Sequence, residues 1–401
     1  MVELTQFFQD YLQKKPLFKS KVVLQSNYTP EYIPHREEQI QTMAGILAPV
    51  LRMEKPSNLF VYGKVGTGKT VVTKYVMSQI ENVAKERRLP IKIIYLNCKL
   101  KRVADTEYRM LAHLAKEFGI DIPPTGLPTD EVYKTFLKYI NTKKQLLIII
   151  LDEIDQLVKK SGDELLYNLT RINSELNNVE LSIIGISNDL LFMENIDPRV
   201  KSSLSEEELV FPPYNAVQIQ DILRERSRFA FDSEIIREGV IEKCAAYAAR
   251  EHGDARRALE LLRVAGEMAE RKNKYSIELE DIDDAEEKIE RDKVLDLVHT
   301  QPKQFQLTLL SILDISQNVT EGPIFTGDIY EIYKSYCKSV ALKPLTQRRV
   351  SDIIAELDMC GIINARVISK GRYGRTREIR LGIPESTVHS IRGALKEGLS
   401  L

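Results

Sequence analysis

The 401-residue chain has no tryptophan, only four cysteines, and no apolar run near the roughly twenty residues that a membrane-spanning helix needs. Cys98, Cys244, Cys337 and Cys360 stand alone, without C-x-x-C pairs and with too few histidines nearby for zinc. Disulfide scaffolds and zinc modules are therefore set aside, and reduced, mostly buried thiols are expected. The first residues lack the basic start, apolar core and small-residue cleavage site of a secretory signal, so the expected compartment is the cytoplasm. No internal repeat or low-complexity stretch is present, and neither charge sign dominates, the formal net charge being −1.

What is present is the composition of a globular protein, 43% hydrophobic and 29% charged, over a length that suggests two or three domains. The neutral average hides an asymmetry. Residues 301–401 hold 14 Lys+Arg against 10 Asp+Glu, whereas the first 300 hold 43 against 48. Local patches rather than totals decide binding to phosphate backbones.

The most specific stretch is Gly63-Lys64-Val65-Gly66-Thr67-Gly68-Lys69-Thr70, which fits G-x-x-x-x-G-K-[ST]. An apolar run, Leu59-Phe60-Val61-Tyr62, leads into it and a helical pattern follows, the strand-loop-helix setting that a phosphate-binding loop requires. Glycines let backbone amides approach phosphates without a Cβ in the way. Lys69 is expected to reach the β- and γ-phosphates of ATP and the Thr70 hydroxyl to hold Mg²⁺, at a helix N-terminus that adds partial positive charge. A Gly-rich turn without function is the weaker reading, because the motif and both flanks agree.

Beyond this loop, nearly continuous apolar runs at 91–96, 146–151 and 181–186 read as buried parallel strands. Helical patterns at 106–118 and 130–140 lie between them, separated by a Pro-rich stretch at 121–128. This alternation predicts a doubly wound α/β domain ending near Phe211-Pro212-Pro213. Upstream, the first 30 or so residues read as a weakly structured lead-in whose Lys14, Lys15, Lys19 and Lys21 form a solvated tail. Tyr32-Ile33-Pro34-His35-Arg36-Glu37 then fits equally a segment packing on a nucleotide base or a simple packing helix. Helices are predicted at 219–229, 235–250, 255–272 and along the acidic run 277–292, read as a solvated face.

Chemistry gathers at the strand ends. The run 146–151 ends in Asp152-Glu153, at the carboxyl edge where ligands bind in α/β sheets. Asp152 is expected to hold Mg²⁺ directly or through water, and Glu153 to orient and deprotonate an attacking water. Asn188, after the next strand, could reach the γ-phosphate or that water. Gly253-Asp254-Ala255-Arg256-Arg257 puts two arginines in the first turn of a helix, where the dipole disfavours cations, so a phosphate ligand is the more attractive role. Tyr214, just past the domain boundary, is counted among the nucleotide-binding residues.

In the basic C-terminal third, helices at 306–315, 326–340 and 346–357 precede two strand-like runs joined at Gly371-Arg372-Tyr373-Gly374. Thr346 is a suitable N-cap, and Val350, Ile353, Ile354 and Leu357 form a buried stripe that leaves Gln347, Arg348 and Arg349 exposed. Recognition helices read base edges with such residues. Arg366, Lys370, Arg372, Tyr373, Arg375 and Arg377 around the hairpin are expected to grip phosphates or enter a minor groove.

These motifs, with Asp152-Glu153-Ile154-Asp155, Ser187-Asn188-Asp189 and the stretch from Asp197 to Leu204, resemble the archaeal replication-initiator branch of the AAA+ ATPases. That branch is similar to origin-recognition-complex subunits and to the cell-division-cycle helicase loader. The resemblance implies an α/β AAA+ P-loop base domain with a parallel sheet, an all-α lid and a C-terminal winged helix. Its implied boundaries are a tail at 1–20, base at 21–213, lid at 214–292 and winged helix at 293–401. It implies that Asn188 is a first sensor and Arg256 a second, and that 121–128 belongs to a DNA-touching insertion. Arg199 is the implied arginine-finger candidate; Ser203 stands where related proteins often carry another arginine, which implies slow turnover. The implied partners are duplex DNA at replication origins, the replicative helicase and other initiator copies, with nucleoid association and no membrane. The rival readings are a loader or remodelling ATPase without sequence preference, and a winged-helix transcription regulator that uses nucleotide as a signal.

Overall fold

The computed structural model describes residues 16–99, 107–123, 126–194, 196–204, 206–318, 324–369, 375–383 and 385–401, with Leu4, Phe8 and Leu12. The chain forms two compact units, Met1–Ile282 and Asp283–Leu401.

In the first unit, strands β1 (Asn58–Tyr62), β2 (Ile91–Asn97), β3 (Gln145–Asp152), β4 (Val179–Ser187) and β5 (Glu206–Val210) form one sheet in the order β2-β3-β4-β1-β5. All four pairings are parallel. Their apolar runs are continuous because both faces are covered, and alternate residues enter two different cores. Leu147, Ile149 and Leu151 pack with helices α3 (Glu107–Lys116) and α4 (Thr129–Ile140). Leu146, Ile148 and Ile150 pack with α1 (Glu37–Leu47) and α2 (Lys69–Arg87). Short helices α5 (Ile154–Ser161), α6 (Glu164–Arg171) and α7 (Pro198–Leu204) complete this part. The edge strand β5 was not foreseen, since it opens with three glutamates.

Helical elements follow. Helix α8 (Ala216–Ala230) starts on a capping box between Asn215 and Gln218. Helix α9 (Val240–Arg250) begins five residues later than the expected position 235. Ile235 and Arg237 instead exchange backbone hydrogen bonds with Ile277 at 2.7 and 3.1 Å, and Gly239 in the left-handed region starts the helix. Helix α10 (Ala255–Arg271) is capped by Asp254, and α11 (Leu279–Thr300) carries the acidic run. That run is not wholly a solvated face. Asp281 is fully buried, pairs with Lys274 at 2.9 Å and accepts from the Glu278 amide.

The lead-in also departs from expectation from Leu17 onward. Leu17, Phe18, Val23 and Leu24 are buried, the Phe18 and Phe231 rings lie 4.7 Å apart, and the Lys19 amide donates to the Ala230 carbonyl. Lys19 and Lys21 are not a solvated tail, being paired with Asp232 and Glu270. Contacts across more than 200 residues leave no local periodicity to read. Lys14 and Lys15 lie outside the described residues.

The second unit contains α12 (Lys303–Asn318), β6 (Ile324–Phe325), α13 (Thr326–Ser339), α14 (Gln347–Met359), β7 (Ile363–Ser369), β8 (Arg375–Leu381) and α15 (Glu385–Leu399). Its antiparallel sheet, ordered β6-β8-β7, packs with the helices as a winged helix. Val350, Ile353, Ile354 and Leu357 form the expected buried stripe of α14. The two-residue strand β6 and the whole of α15 were unforeseen, although α15 buries Val388, Ile391, Leu395 and Leu399 at helical spacing.

Candidate functional site

The loop 63–70 joins the end of β1 to the start of α2, beside the carboxyl ends of β3 and β4. Gly66 and Gly68 have φ of 74° and 92°, which favours glycine. Space excludes a side chain as well: a Cβ on Gly66 would lie 1.7 Å from Asp254 Oδ1, and one on Gly68 2.8 Å from the Tyr214 hydroxyl. Four of the loop carbonyls have fixed partners. Lys69 Nζ donates to Gly63 O and Lys64 O, both at 2.7 Å, the Ala255 amide donates to Gly66 O at 3.3 Å, and Arg36 Nε donates to Thr67 O at 2.9 Å. Thr67 Oγ1 donates to Lys64 O, while Lys64 and Val65 are exposed at the tip. Burial, then the charge of Arg256, push the Lys69 ammonium down to about 8.

Asp152 is buried, and its Oδ2 accepts from Thr70 Oγ1 at 2.9 Å and from the Tyr95 hydroxyl at 2.5 Å. Burial and this carboxylate raise the Tyr95 pKa, so the phenol keeps its proton and donates. Glu153 follows at φ 57° in the N-cap position of α5, where its side chain makes no capping hydrogen bond, with Lys99 Nζ 3.7 Å from its carboxylate. On the adjacent strand, the Asn188 amide donates to buried Asp155 at 3.4 Å. The Thr70 and Asp152 oxygens are hard donors close enough to be neighbouring ligands of a small octahedral cation, so this donor set fits Mg²⁺.

The two arginines of 253–257 separate. Arg256 is exposed and lines the cavity above the loop, whereas Arg257 is buried with Glu251 and Glu260 beside it. The same cavity is lined by Tyr28, Ile33, Pro34, Gly66, Thr70 and Tyr214 among others. Tyr32, Ile33 and Pro34 thus lie at the cavity beside the phosphate loop, with helix starting only at Glu37. Arg226 also lines it, nearly buried and 4.7 Å over the Tyr28 ring. Arg36, Tyr95 and Arg226 were missed as site residues. Arg36 alone left a signal, an arginine just before a helix and upstream of the loop. Arg199 lies elsewhere, exposed, with Nη2 2.8 Å from Asp197 Oδ2, and its guanidinium holds the Asp197 carboxyl down to about 2.

In the second unit, Gln347, Arg348 and Arg349 are exposed at the start of α14, where Thr346 accepts from the Arg349 amide. Arg366 is exposed on β7, and Arg377 on β8 donates to Ser351 Oγ at 3.4 Å, tying the hairpin to α14. Arg375 begins β8 opposite Ser369. Lys370, Arg372 and Tyr373 lie outside the described residues, as do parts of 121–128 and the side chain of Ser203.

Three family descriptions match: an AAA domain over residues 52–192, a Cdc6 AAA+ ATPase-type lid domain over 220–287, and the Cdc6 C-terminal winged-helix domain over 296–391. An ORC1-type DNA replication protein of Thermococcus onnurineus is 53% identical over 97% of this chain and 94% of its own length. One from Pyrococcus furiosus is 52% identical over 100% and 94%. Among solved structures, the Aeropyrum pernix ORC1 protein in complex with DNA superposes with a TM-score of 0.83 at 46% identity, covering 96% of this chain and 98% of that one.

Proposed function

This chain belongs to the ORC1/Cdc6 family of AAA+ ATPases, as a replication initiator of that type, and from that premise we propose that it recognises replication origins and assists helicase loading under ATP control. The observation that carries the nucleotide half is the start of α10 resting on the phosphate loop, with the Ala255 amide on Gly66 O and Arg256 at the cavity. Lid and base can therefore answer to the same phosphates. Lys69 and the loop amides bind the β- and γ-phosphates, while Asn188 and Arg256 report on the γ-phosphate. Thr70 and Asp152 would hold Mg²⁺, which when bound neutralises charge between the phosphates. Glu153 orients water and takes its proton. Arg199 is the residue offered to a neighbouring copy, and slow turnover suits a switch.

The DNA half rests on the exposed Gln347, Arg348 and Arg349 at the start of α14 and on the basic sequence of Arg366, Lys370, Arg372, Tyr373, Arg375 and Arg377. It draws support from the DNA complex of the Aeropyrum relative. Two variant sets test the reading. Lys69→Ala should abolish ATP binding, and Glu153→Gln should bind ATP without turning it over. Arg348→Ala should relax sequence preference at a cost of about 1–3 kcal/mol on an origin duplex, and Arg372→Ala should weaken all duplexes evenly with a salt slope smaller by about 1. Unchanged affinity for every duplex in both DNA variants would remove the DNA assignment.

A further inference from the structure

Arg36 is 2% exposed, yet its guanidinium donates to neutral groups: Thr67 O at 2.9 Å, His35 O at 3.1 Å, Pro212 O at 2.6 Å and the Tyr214 hydroxyl. The faces of Tyr214 and Phe211 lie 3.8 and 5.6 Å from the guanidinium carbon. A cation is costly to bury in such company, so the position calls for a reason beyond packing.

The bond to Thr67 supplies one. The Thr67–Gly68 peptide is planar and trans, so its carbonyl and its N–H point in opposite directions. Holding Thr67 O back onto Arg36 turns the Gly68 N–H toward the other side of the loop. Lys69 Nζ engages the Gly63 and Lys64 carbonyls and the Ala255 amide that of Gly66, so four loop carbonyls have fixed partners and the loop backbone is held in the conformation that turns the Gly68 N–H away from Arg36. The fork of Arg36 also reaches Pro212, at the passage from base to lid, so the same residue ties the loop to that passage.

We propose that Arg36 is a positioning residue for the nucleotide's β-phosphate, aiming the Gly68 amide through the Thr67 carbonyl and locking the loop to Pro212. The proposal rests on the nucleotide reading above and deepens it. It is tested by calorimetric titration of the full chain with ADP and with AMP, comparing the wild type, Lys69→Ala, Arg36→Gln and Arg36→Lys. Loss of a hydrogen bond to a charged group predicts an ADP affinity lower by roughly 10- to 100-fold in Arg36→Gln. AMP, which has no β-phosphate, should change by no more than about 3-fold, and Arg36→Lys, keeping the charge but not the fork, should fall between. A role confined to packing would lower both affinities in proportion, or only the melting temperature, and either result overturns the proposal. Should Arg36→Gln fail to fold, the ADP-to-AMP ratio of Arg36→Lys decides in the same way. Wild-type protein that binds no ADP would sink the nucleotide reading itself. If Lys69→Ala loses ADP while the Arg36 variants keep it, only the role of Arg36 falls.

Discussion

Lys69 is the residue at which burial and function pull in opposite directions. Its folded pKa of about 8 lies below the ordinary 10.5, chiefly from desolvation, with Arg256 adding to the fall and Asp152, Asp155 and Asp254 opposing it. The folded, free protein therefore loses this charge as pH rises through about 8, while the unfolded lysine keeps its proton up to 10.5. A bound polyphosphate favours the charged form, so binding above that pH takes up a proton. ADP affinity should be nearly flat between about pH 7 and 8, below which the terminal phosphate itself takes up a proton, and fall by up to about tenfold per pH unit between 8 and 10. Lys69→Arg, which stays charged, should bind more weakly but without that slope, and calorimetry across the pH range checks it. An identical slope in the arginine variant would assign the titration to another group. Lys69 was legible in the sequence because eight consecutive positions state the whole chemistry of the loop. Tyr95 was not, and Arg36 showed only as an arginine just before a helix, because what marks them is a partner brought close by folding: Asp152 in one case, Thr67 in the other.

Among the elements, α10 shows how a lid helix can be set by its first residue. Asp254 accepts from the amides of Arg256 and Arg257, which would otherwise end unpartnered at the helix start. Asp254→Ala should cost about 0.5–2 kcal/mol, with faster hydrogen exchange at the Arg256 and Arg257 amides, whereas Asp254→Asn should lose only a few tenths. Equal exchange rates in both variants would deny the cap its role. This helix was expected at 255–272, and the strands ending in Tyr62, Asp152 and Ser187 were legible as apolar runs. The unread elements share a physical cause. β5 is an edge strand whose glutamates mask it, β6 has two residues, and residues 17–24 hold their place only through Phe231, Asp232 and Glu270. Helix α15 is different: Val388, Ile391, Leu395 and Leu399 recur at helical spacing in the sequence itself, so its signal was local and legible.

For the whole molecule, the nucleotide site and the basic winged helix make a switch only if each changes the other's affinity. Thermodynamic linkage makes that requirement quantitative. If ATP, relative to ADP, alters DNA affinity by some factor, DNA must alter the ratio of ATP to ADP affinity by the same factor, with about 5- to 150-fold a usual size. If Glu153 has the role proposed above, Glu153→Gln should keep ATP intact during the measurement, so that both arms can be taken at equilibrium. DNA dissociation constants measured at saturating ATP and at saturating ADP give one ratio. Nucleotide titrations with and without an origin duplex give the other. The expected outcome is two equal ratios clearly different from one, both returning toward one in Arg256→Ala, whose side chain leaves the cavity next to the phosphate loop. Two ratios equal to one would leave a DNA-binding protein and an ATPase in the same chain with no communication between them, and the switch would be lost.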